Sequence, residues 1–365
     1  MIPHGDEDLA DFEVLTTQAW RIPRWLVAVL AVLAVIGTAT ALVRAAGGRP
    51  TRPTAAAASQ TSARPSAPPR QGPPALLGTH WLDLGGGQPV DLALGTRHAF
   101  VLAALPSELR TVMKMDLRGQ VEQTVVVPVG ASQLAVDEDD DRLWLVVSDD
   151  RGDTVLDYDS STLRYVSALP VPARVWGAVA LDGRLWLASE RGLYSLDHRV
   201  HALARAPVTC GCTAIAADAE NHRVIATIDA WPARVIGYRP ADRTMLTGPS
   251  LDVGKTSLAA VHGVVWVAGY GRDRLVKLNP ITLRRDGYRP PSDLPGPGMT
   301  VWPGTDVIWV GGDGGGMSCV DRLSGAPLST LAAGSTGPVV SRDGIVFVVV
   351  LGQLGRVRAS SACSG

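Results

Sequence analysis

The sequence predicts an all-β fold built from seven copies of one small unit. A run of β-forming residues with an aromatic residue or Ile at its centre recurs at spacings of 38 to 44 residues. Each copy is too short to bury its own apolar face, so the copies must pack against one another. The centres of the seven runs are Phe100, Trp144, Trp186, Ile225, Trp266, Trp309 and Phe347.

Each unit divides into four short strands. The unit around Trp186 reads VWGAVAL, RLWLASE, LYSLD and HALARAPV, and the unit around Trp266 repeats this pattern and ends on TLRRDGY. Apolar residues that alternate between Gly, Asp, Asn and Pro turns are typical of antiparallel hairpins. Four-stranded units repeated four to eight times form a β-propeller. The sequence therefore predicts a seven-bladed β-propeller with four-stranded antiparallel blades over residues 78–365.

The two ends of the repeat region predict how the ring closes. The last unit reaches its third strand at GRVRAS and ends in SACSG, which leaves no room for a fourth strand. THWLDL, residues 79–84, precedes the first unit as an additional strand. We expect it to become the outer strand of the seventh blade, which would bury a sheet edge that otherwise promotes aggregation. An open solenoid is the alternative, and it would leave this strand unexplained.

Three segments resemble a known kind of repeat. LDYDSSTLRYV, VKLNPITLRRDG and CVDRLSGAPLS are similar to the element that joins the third and fourth strands in YVTN, NHL and quinoprotein-like propeller repeats, where an Asp or Asn precedes a turn. DGRLWLAS resembles their second strand, while the dipeptide pattern of WD40 blades is absent. The resemblance covers nearly all of residues 78–365. It implies the fold only, because the shared residues are turn formers and a Trp that packs between blades.

Upstream of the repeats the chain has three zones of different composition. Residues 1–24 form a polar tail of net charge −3, residues 25–43 contain no charged residue, and residues 44–77 are rich in Pro, Ala, Ser and Thr. A helix of residues 25–43 would be roughly 28 Å long, enough to cross a hydrocarbon core of about 30 Å. We therefore predict a cytoplasmic tail, a transmembrane helix that is a signal anchor, and a disordered linker before the propeller.

Two further points about this helix are whether it is cleaved off as a signal peptide and which way it crosses the membrane. Ala39-Thr40-Ala41 would allow cleavage as a signal peptide, but the long acidic N-terminal region and the long apolar run favour an uncleaved anchor. The linker favours an extracytoplasmic propeller, whereas the arginines that follow the helix oppose this orientation. We expect a single-pass protein of the cell membrane with the propeller outside.

Composition and motifs exclude several functions. Residues 78–365 contain 27 basic and 30 acidic residues, which gives no electrostatic footprint for nucleic acid. No nucleotide-binding or nucleophile-elbow motif occurs, and the seven histidines lack metal-ligand spacing. The acidic run 137–141 lacks the pattern of a calcium loop and is interpreted as a solvated turn. We expect a monomeric propeller with no metal and no cofactor.

The loops between second and third strands, together with the connections between blades, form one face of a propeller. In this chain they carry charges of both signs and three aromatic residues, which could hold a protein or a cell-surface glycan, while simple solvation of the polar loops is the alternative and the more common case. The predicted ligand-binding residues are Asp149, Asp150, Arg151, Trp176, Glu190, Arg191, Asp229, Trp231, Tyr270, Arg272 and Asp273, and Asp313 lies in an equivalent loop.

The alternative function is a lyase or hydrolase with its site at the mouth of the central channel. Streptogramin lyases use His and Glu there, and lactonases of the senescence-marker type hold a metal with Glu, Asn and Asp. Neither set matches this sequence residue by residue. The predicted first strands DLALG, QLAVD, GAVAL, AIAAD and SLAAV are mostly apolar or small, which favours a binding module without catalytic residues.

Four cysteines allow two disulfides in an exported domain: Cys210, Cys212, Cys319 and Cys363. Cys319 falls in the third strand of blade six and Cys363 near the end of blade seven, so the two are expected to be adjacent. The Cys210-Gly211-Cys212 segment could close a small ring, and such a pair is also a weak zinc or redox signal. The sequence leaves the connectivity open.

Overall fold

The computed structural model describes residues 79–208, 211–290, 294, 299–304, 306–312, 316–332, 336–358 and 363. The predicted tail, transmembrane helix and linker lie outside the described residues, as do Cys210 and Asp313. In the part of the chain that is described, no helix is long and apolar enough to span a membrane. These ranges fold almost entirely into short antiparallel strands, with a single 3-10 turn of helix at Ala219–Asn221.

The strands form seven sheets that follow one another along the chain. Blade one is preceded by β1 (His80–Leu82) and consists of β2 (Gln88–Leu94), β3 (His98–Ala104), β4 (Arg110–Asp116) and β5 (Val121–Val127). Blade two consists of β6 (Ala131–Asp137), β7 (Arg142–Asp149), β8 (Gly152–Asp159) and β9 (Tyr165–Val171), and blade three of β10 (Val175–Leu181), β11 (Arg184–Ser189), β12 (Gly192–Asp197) and β13 (Ala202–Arg205).

The remaining blades continue this order. Blade four consists of β14 (Cys212–Asp218), β15 (Arg223–Ile228), β16 (Ala233–Arg239) and β17 (Thr244–Leu251), and blade five of β18 (Val253–Val261), β19 (Val264–Gly271) and β20 (Leu275–Leu278). Blade six consists of β21 (Thr300–Pro303), β22 (Val307–Gly311), β23 (Met317–Asp321) and β24 (Pro327–Ala332), and blade seven begins with β25 (Thr336–Arg342), β26 (Ile345–Val350) and β27 (Gln353–Arg358).

The first strands of the blades surround a central channel. Each first strand contacts the first strand of the next blade, and β25 of blade seven contacts β2 of blade one. The seven sheets therefore close into a ring, which confirms the predicted seven-bladed propeller.

The predicted closing strand is also confirmed. β1 pairs antiparallel with β27, with Trp81 opposite Gly355 and Leu82 opposite Leu354. Leu84, just after β1, is 5% exposed and belongs to the apolar cluster between blades seven and one. Blade seven is thus completed by a strand from the other end of the repeat region, and this pairing joins both ends of the ring.

The core lies between the blades. Among the described residues, an apolar cluster fills each of the seven junctions between neighbouring blades. The seven repeat centres named above all lie on second strands and are at most 2% exposed. This arrangement is the reason for the repeat, because a single sheet buries its central side chain only against a neighbour.

The turns between third and fourth strands explain the segments on which the family resemblance is based. The side-chain oxygens of Asp159, Asn279 and Asp321 each accept a hydrogen bond from the backbone N–H three residues later, at 2.8, 2.9 and 2.7 Å. These local bonds mimic a backbone turn, which is why Asp or Asn is needed there. The motif is structural.

Blade five departs from the predicted four strands. TLRRDGY does not form a full strand and contributes one isolated bridge, Leu278 to Arg285. The Arg285 guanidinium donates to both carboxylate oxygens of Asp273 at 2.9 and 2.6 Å, and the Asp286 N–H donates to the Lys277 carbonyl at 3.0 Å, so this segment is held by side-chain bonds and one backbone bond. Pro290 and Pro291 follow, and proline has no N–H with which to continue the pairing.

Cys319 and Cys363 form a disulfide with a Cα–Cα distance of 5.7 Å. It links β23 of blade six to the segment after β27, as the predicted adjacency of the two residues requires. The pairing of Cys210 with Cys212 remains a prediction, because Cys210 lies outside the described residues.

Deletion of residues 78–85 tests the closure. The deletion removes the β1–β27 pairing and the buried Leu84 side chain, and burial of one Leu contributes about 1.5–3 kcal/mol. With Trp81 and Leu82 also lost, we expect the free energy of unfolding to fall by about 3 kcal/mol and aggregation to increase. Thermal unfolding and light scattering measure both effects. Removal of residues 62–69 from the predicted linker is the matched control, and an equal melting temperature in the two deletions would contradict the role of β1.

Candidate functional site

A β-bulge recurs at the start of the first strand in blades one to five. The pairing register between first and second strands shifts by one residue at this point in each of these blades. A bulge redirects side chains at the end of a sheet and is frequent beside functional sites. The bulged residues are Val90, Ser132, Trp176, Thr213, and Lys255 together with Thr256.

Trp176 therefore lies within a strand, where the sequence predicted a connection between blades. It is the second residue of β10, and the bulge leaves its side chain 49% exposed. The predicted face was right, because the first strand begins at the same end of the blade as the loop between second and third strands.

The position after the bulge forms a ring around the channel. In blades one to five this residue pairs with the second residue after the buried repeat centre, and Thr300 of blade six has the same pairing partner without a bulge. All six residues line a cavity of about 460 Å³ at the channel mouth. They are Asp91, Gln133, Gly177, Ala214, Ser257 and Thr300.

The hydroxyl groups on one side of the mouth are already paired. Thr213 Oγ1 lies 3.1 Å from Thr227 Oγ1 and 3.0 Å from Thr256 Oγ1, and the last two are 2.5 Å apart. Ser257 Oγ donates to the carbonyl of Val301 at 3.1 Å. None of these bonds reaches a carboxylate, so none of these four hydroxyls has a hydrogen-bonded base that would activate it as a nucleophile.

The opposite side of the mouth carries Asp91 and Gln133 on adjacent blades. Asp91 Oδ2 accepts a 2.7 Å hydrogen bond from the backbone N–H of Leu134. Asp91 as a whole residue is partly exposed and lines the cavity, while its carboxyl group is shielded from bulk water. Burial accordingly raises the pKa of Asp91 to about 7, against the opposing effect of backbone hydrogen bonds from Leu134 and Leu92.

Both groups lack a partner of suitable chemistry within the protein. Among the described residues, no cationic side chain contacts the Asp91 carboxyl group, and the buried Gln133 Oε1 accepts no hydrogen bond. A buried acceptor without a donor costs about 1–3 kcal/mol. The mouth therefore presents two adjacent acceptors that a ligand can satisfy.

Below the mouth the channel is apolar. A second cavity of about 350 Å³ is lined mainly by small aliphatic side chains of the same first strands, among them Leu94, Ala135, Ala180 and Leu258. Polar groups of a ligand are therefore held at the mouth, because nothing deeper in the channel would replace their hydration.

Most of the predicted loop residues are exposed at the turns between second and third strands of blades two to five. Exposed residues are Asp149, Asp150, Arg151, Glu190, Arg191, Asp229, Trp231, Tyr270 and Arg272. Some of the charged groups have local partners: Asp149 accepts a 2.7 Å bond from the Arg151 N–H, and Glu190 lies 4.0 Å from Arg191.

Asp273 differs from the other predicted loop residues. Its carboxylate receives the Arg285 guanidinium and a 2.8 Å bond from the backbone N–H of Asp252. The hydrogen bond from Arg285 holds the pKa of Asp273 below its usual range, despite partial burial. These contacts give Asp273 a structural role inside blade five.

The three predicted aromatic residues lie along one arc of the mouth. Trp231 is 70% exposed and Tyr270 38% exposed. The Lys255 ammonium lies 5.8 Å from the centre of the Tyr270 ring, and Lys255 lines the same cavity as Trp176. The Trp231 ring lies against Gly254, where an added Cβ atom would be 3.1 Å from Cζ3.

Sequence reasoning missed Asp91, Gln133 and Lys255. The first strands were interpreted as apolar or small, yet DLALG and QLAVD begin with the two acceptors that project at the mouth. The signal was present in the repeat alignment, because the same position carries Gly, Ala, Ser or Thr in blades three to six. Lys255 could not be placed, because a bulge of two residues shifts it out of alternation.

The acidic turn on the other face was predicted to be solvated, and this is wrong for Glu138. Its side chain is 2% exposed and accepts hydrogen bonds from the His98 ring, the Arg97 N–H at 2.5 Å and Thr96 Oγ1 at 3.1 Å. Burial raises the pKa of Glu138, but these bonds, led by His98, outweigh it and hold the pKa below its usual value. Glu138 thus links blade two to blade one.

The described residues contain no group of three or more His, Cys, Asp or Glu side chains that could hold a metal ion.

Glu138→Gln tests the link between blades one and two. Because the pKa of Glu138 is lowered on folding, the ionised carboxylate stabilises the fold at neutral pH, and this contribution is lost as the pH falls through the folded-state pKa. We expect the substitution to lower the free energy of unfolding by about 1–3 kcal/mol at pH 7 and by less at pH 3–4. Urea unfolding across this pH range measures the difference.

The exposed neighbour Asp139 provides a matched control. Asp139→Asn should change stability by less than about 0.5 kcal/mol at either pH. A difference for Glu138→Gln that is the same at both pH values would show that the carboxylate charge is not what stabilises the junction.

Comparison with known proteins shows the fold and no more. No family model matches this sequence, and no curated protein matches it. The structure is similar to the RRP9 WD40 repeats (TM-score 0.59, 11% identity, 78% of this chain and 98% of that one). It is also similar to U3-55K, with a TM-score of 0.60 and 11% identity over 78% of this chain and 100% of that one. Kuenenia stuttgartiensis hydrazine synthase matches with a TM-score of 0.60 and 12% identity over 76% of this chain and 97% of that one. The more specific resemblance to YVTN and NHL repeats stays a prediction.

Proposed function

We propose that this chain is a membrane-anchored binding module whose propeller holds a protein or glycan ligand outside the cytoplasm. The observation that carries the proposal is the arc of exposed Trp176, Trp231 and Tyr270 beside the cavity at the channel mouth. Large exposed aromatic side chains on a rigid frame are typical energetic anchors of a contact.

The chemistry of the mouth favours binding over catalysis. A carboxyl group that titrates near pH 7, as Asp91 does, could exchange a proton with a substrate. A lyase or hydrolase would also need a second group in reach of the reacting atom. The Thr213, Thr227 and Thr256 hydroxyls are bonded to one another and the Ser257 hydroxyl to the Val301 carbonyl, so the lyase or hydrolase alternative has less support.

The anchor is supported by the sequence alone. Residues 25–43 have the length and composition of a membrane span, and residues 44–77 have the composition of a spacer. Such an arrangement would place the aromatic arc within reach of ligands at the cell surface.

Replacement of Trp176, Trp231 and Tyr270 by Ala tests the binding face. We expect the melting temperature to change little, because all three side chains are exposed. Each true anchor contributes about 2 kcal/mol or more, so affinity for a ligand captured by the wild-type chain should fall at least about 100-fold. Cross-linking with mass spectrometry and a glycan array identify the ligand, and calorimetry measures the affinity.

The matched control removes three exposed apolar side chains from the outer strands: Val126→Ala, Tyr165→Ala and Val166→Ala. This control should retain the ligand. If the aromatic variant folds and binds as tightly as the control, the ligand uses another surface. Unfolding of the aromatic variant would instead show that the three residues stabilise the core.

Protease treatment of sealed membrane vesicles tests the anchor and its orientation. In vesicles with the outer surface exposed, we expect cleavage within residues 44–77 and release of the whole propeller, and deletion of residues 25–43 should free the chain from the membrane fraction. Release only from inverted vesicles would reverse the orientation. A soluble protein that starts near Ala41 or Leu42 would show a cleaved signal peptide.

A further inference from the structure

The acceptor pair at the channel mouth is distinct from the aromatic arc. Asp91 lies in blade one and Gln133 in blade two, at the equivalent position of the ring. The backbone N–H of Leu134 donates to one carboxylate oxygen of Asp91, but no cationic side chain of the described protein reaches the carboxyl group. Gln133 Oε1 is buried and accepts no hydrogen bond within the described residues.

Two adjacent acceptors in a partly enclosed mouth select a ligand that donates. A cationic donor binds a carboxylate more strongly than a neutral donor does, because charge-assisted hydrogen bonds are about twice as strong as those between neutral groups. An isolated carboxylate away from bulk water is also unfavourable, and a bound cation relieves this cost directly. The side-chain amide of Gln133 then adds a second acceptor that fixes the direction of the donor.

Lys255 is the other ionisable side chain that lines this cavity. It belongs to blade five, across the ring from blades one and two, and its ammonium lies over the face of the Tyr270 ring. A ring face attracts a cation, so this charge has a partner on the rim. Lys255 therefore does not neutralise Asp91, and the acidic side of the mouth stays open.

We propose that the Asp91–Gln133 pair binds the guanidinium or ammonium group of a basic side chain, inserted into the channel mouth by a protein ligand. The inference rests on the proposed binding function and narrows its ligand from a protein or glycan to a protein with an exposed Arg or Lys. The aromatic arc would then contact the segment around that side chain. The cavity of about 460 Å³ is large enough for one long side chain.

Binding of a cation by Asp91 is linked to the loss of a proton. The carboxyl group is partly protonated near neutral pH and must ionise to pair with the ligand. The affinity should therefore increase by about tenfold between pH 6 and pH 8, and complex formation at pH 6 should release close to one proton. A neutral ligand such as a sugar would not require this ionisation.

Calorimetry on the full chain in detergent tests the inference with small probes. The probes are N-acetyl-arginine methylamide, its neutral isostere N-acetyl-citrulline methylamide, and methyl glucoside. We expect only the arginine probe to bind measurably, more tightly at pH 8 than at pH 6. Titration at pH 6 in two buffers of different ionisation enthalpy counts the released proton and requires no variant.

Three substitutions locate the site. Asp91→Asn should abolish binding of the arginine probe together with its pH dependence, and Gln133→Leu should weaken binding about tenfold. Lys255→Met should leave the affinity unchanged or increase it, because it removes a like charge from the rim. Asp139→Asn, at the exposed acidic turn of the opposite face, is the matched control and should have no effect. If Asp91→Asn does not fold, the number of protons released by the wild-type chain still shows whether the arginine probe pairs with an ionised carboxylate.

Two results would overturn the inference. One is equal binding of the citrulline or glucoside probe without pH dependence, which would indicate a neutral ligand. The other is loss of arginine-probe binding in Lys255→Met with binding retained in Asp91→Asn, which would show that the probe is held at the Lys255 side of the mouth and not by the acceptor pair. If the arginine probe does not bind while the aromatic substitutions still abolish capture of the natural ligand, that result would support the binding function and contradict only the insertion of a basic side chain at the mouth. If the probe binds but those substitutions have no effect, the aromatic arc is excluded.

Discussion

Every blade of this propeller depends on a neighbour for its core. The buried side chain at the centre of each second strand, Trp144 for example, is covered by the adjacent sheet and not by its own. Such packing is complete only if the ring closes, and the pairing of β1 with β27 supplies the closure. The apolar cluster between blades seven and one contains Leu84 from one end of the repeat region and Leu354 from the other, so both ends are fixed by the same contact.

A closed ring places seven first strands at fixed distances from one axis, and this determines where a site can form. In blades one to six, the residue at the position of Asp91 lines the mouth. It can vary because most of these residues lie outside the apolar clusters between blades, with Ala214 as the exception. Small residues at most of these positions keep the mouth open. A polar residue there, such as Asp91 or Gln133, therefore changes the chemistry of the mouth without disturbing the core, which is how one fold serves unrelated ligands.

The extent to which the sequence predicted the molecule follows from the range of each interaction. Repeat centres, turn residues such as Asp159 and the closing strand depend on local patterns, and all were predicted. The three-stranded blade five was not, because local alternation in TLRRDGY indicated a full strand, of which the structure keeps one isolated bridge beside the bond between Arg285 and Asp273. The acceptors at the mouth were missed because a two-fold alternation assigns each residue to a sheet face and says nothing of distance from the ring axis. Glu138 was misassigned for a similar reason, because its partners lie 40 to 42 residues upstream.

The two parts of the mouth would contribute differently to recognition. Exposed Trp and Tyr side chains bind through apolar area, which gives affinity but accepts many partners. A buried acceptor pair is more selective among ligands. A ligand without a matching donor leaves the carboxylate and the amide oxygen without hydrogen bonds on binding. Since Asp91 and Trp176 line one cavity, a ligand that covers the aromatic arc also removes water from the acceptors. The arc would therefore determine how tightly a segment is held, and the acceptor pair which side chain it must bring.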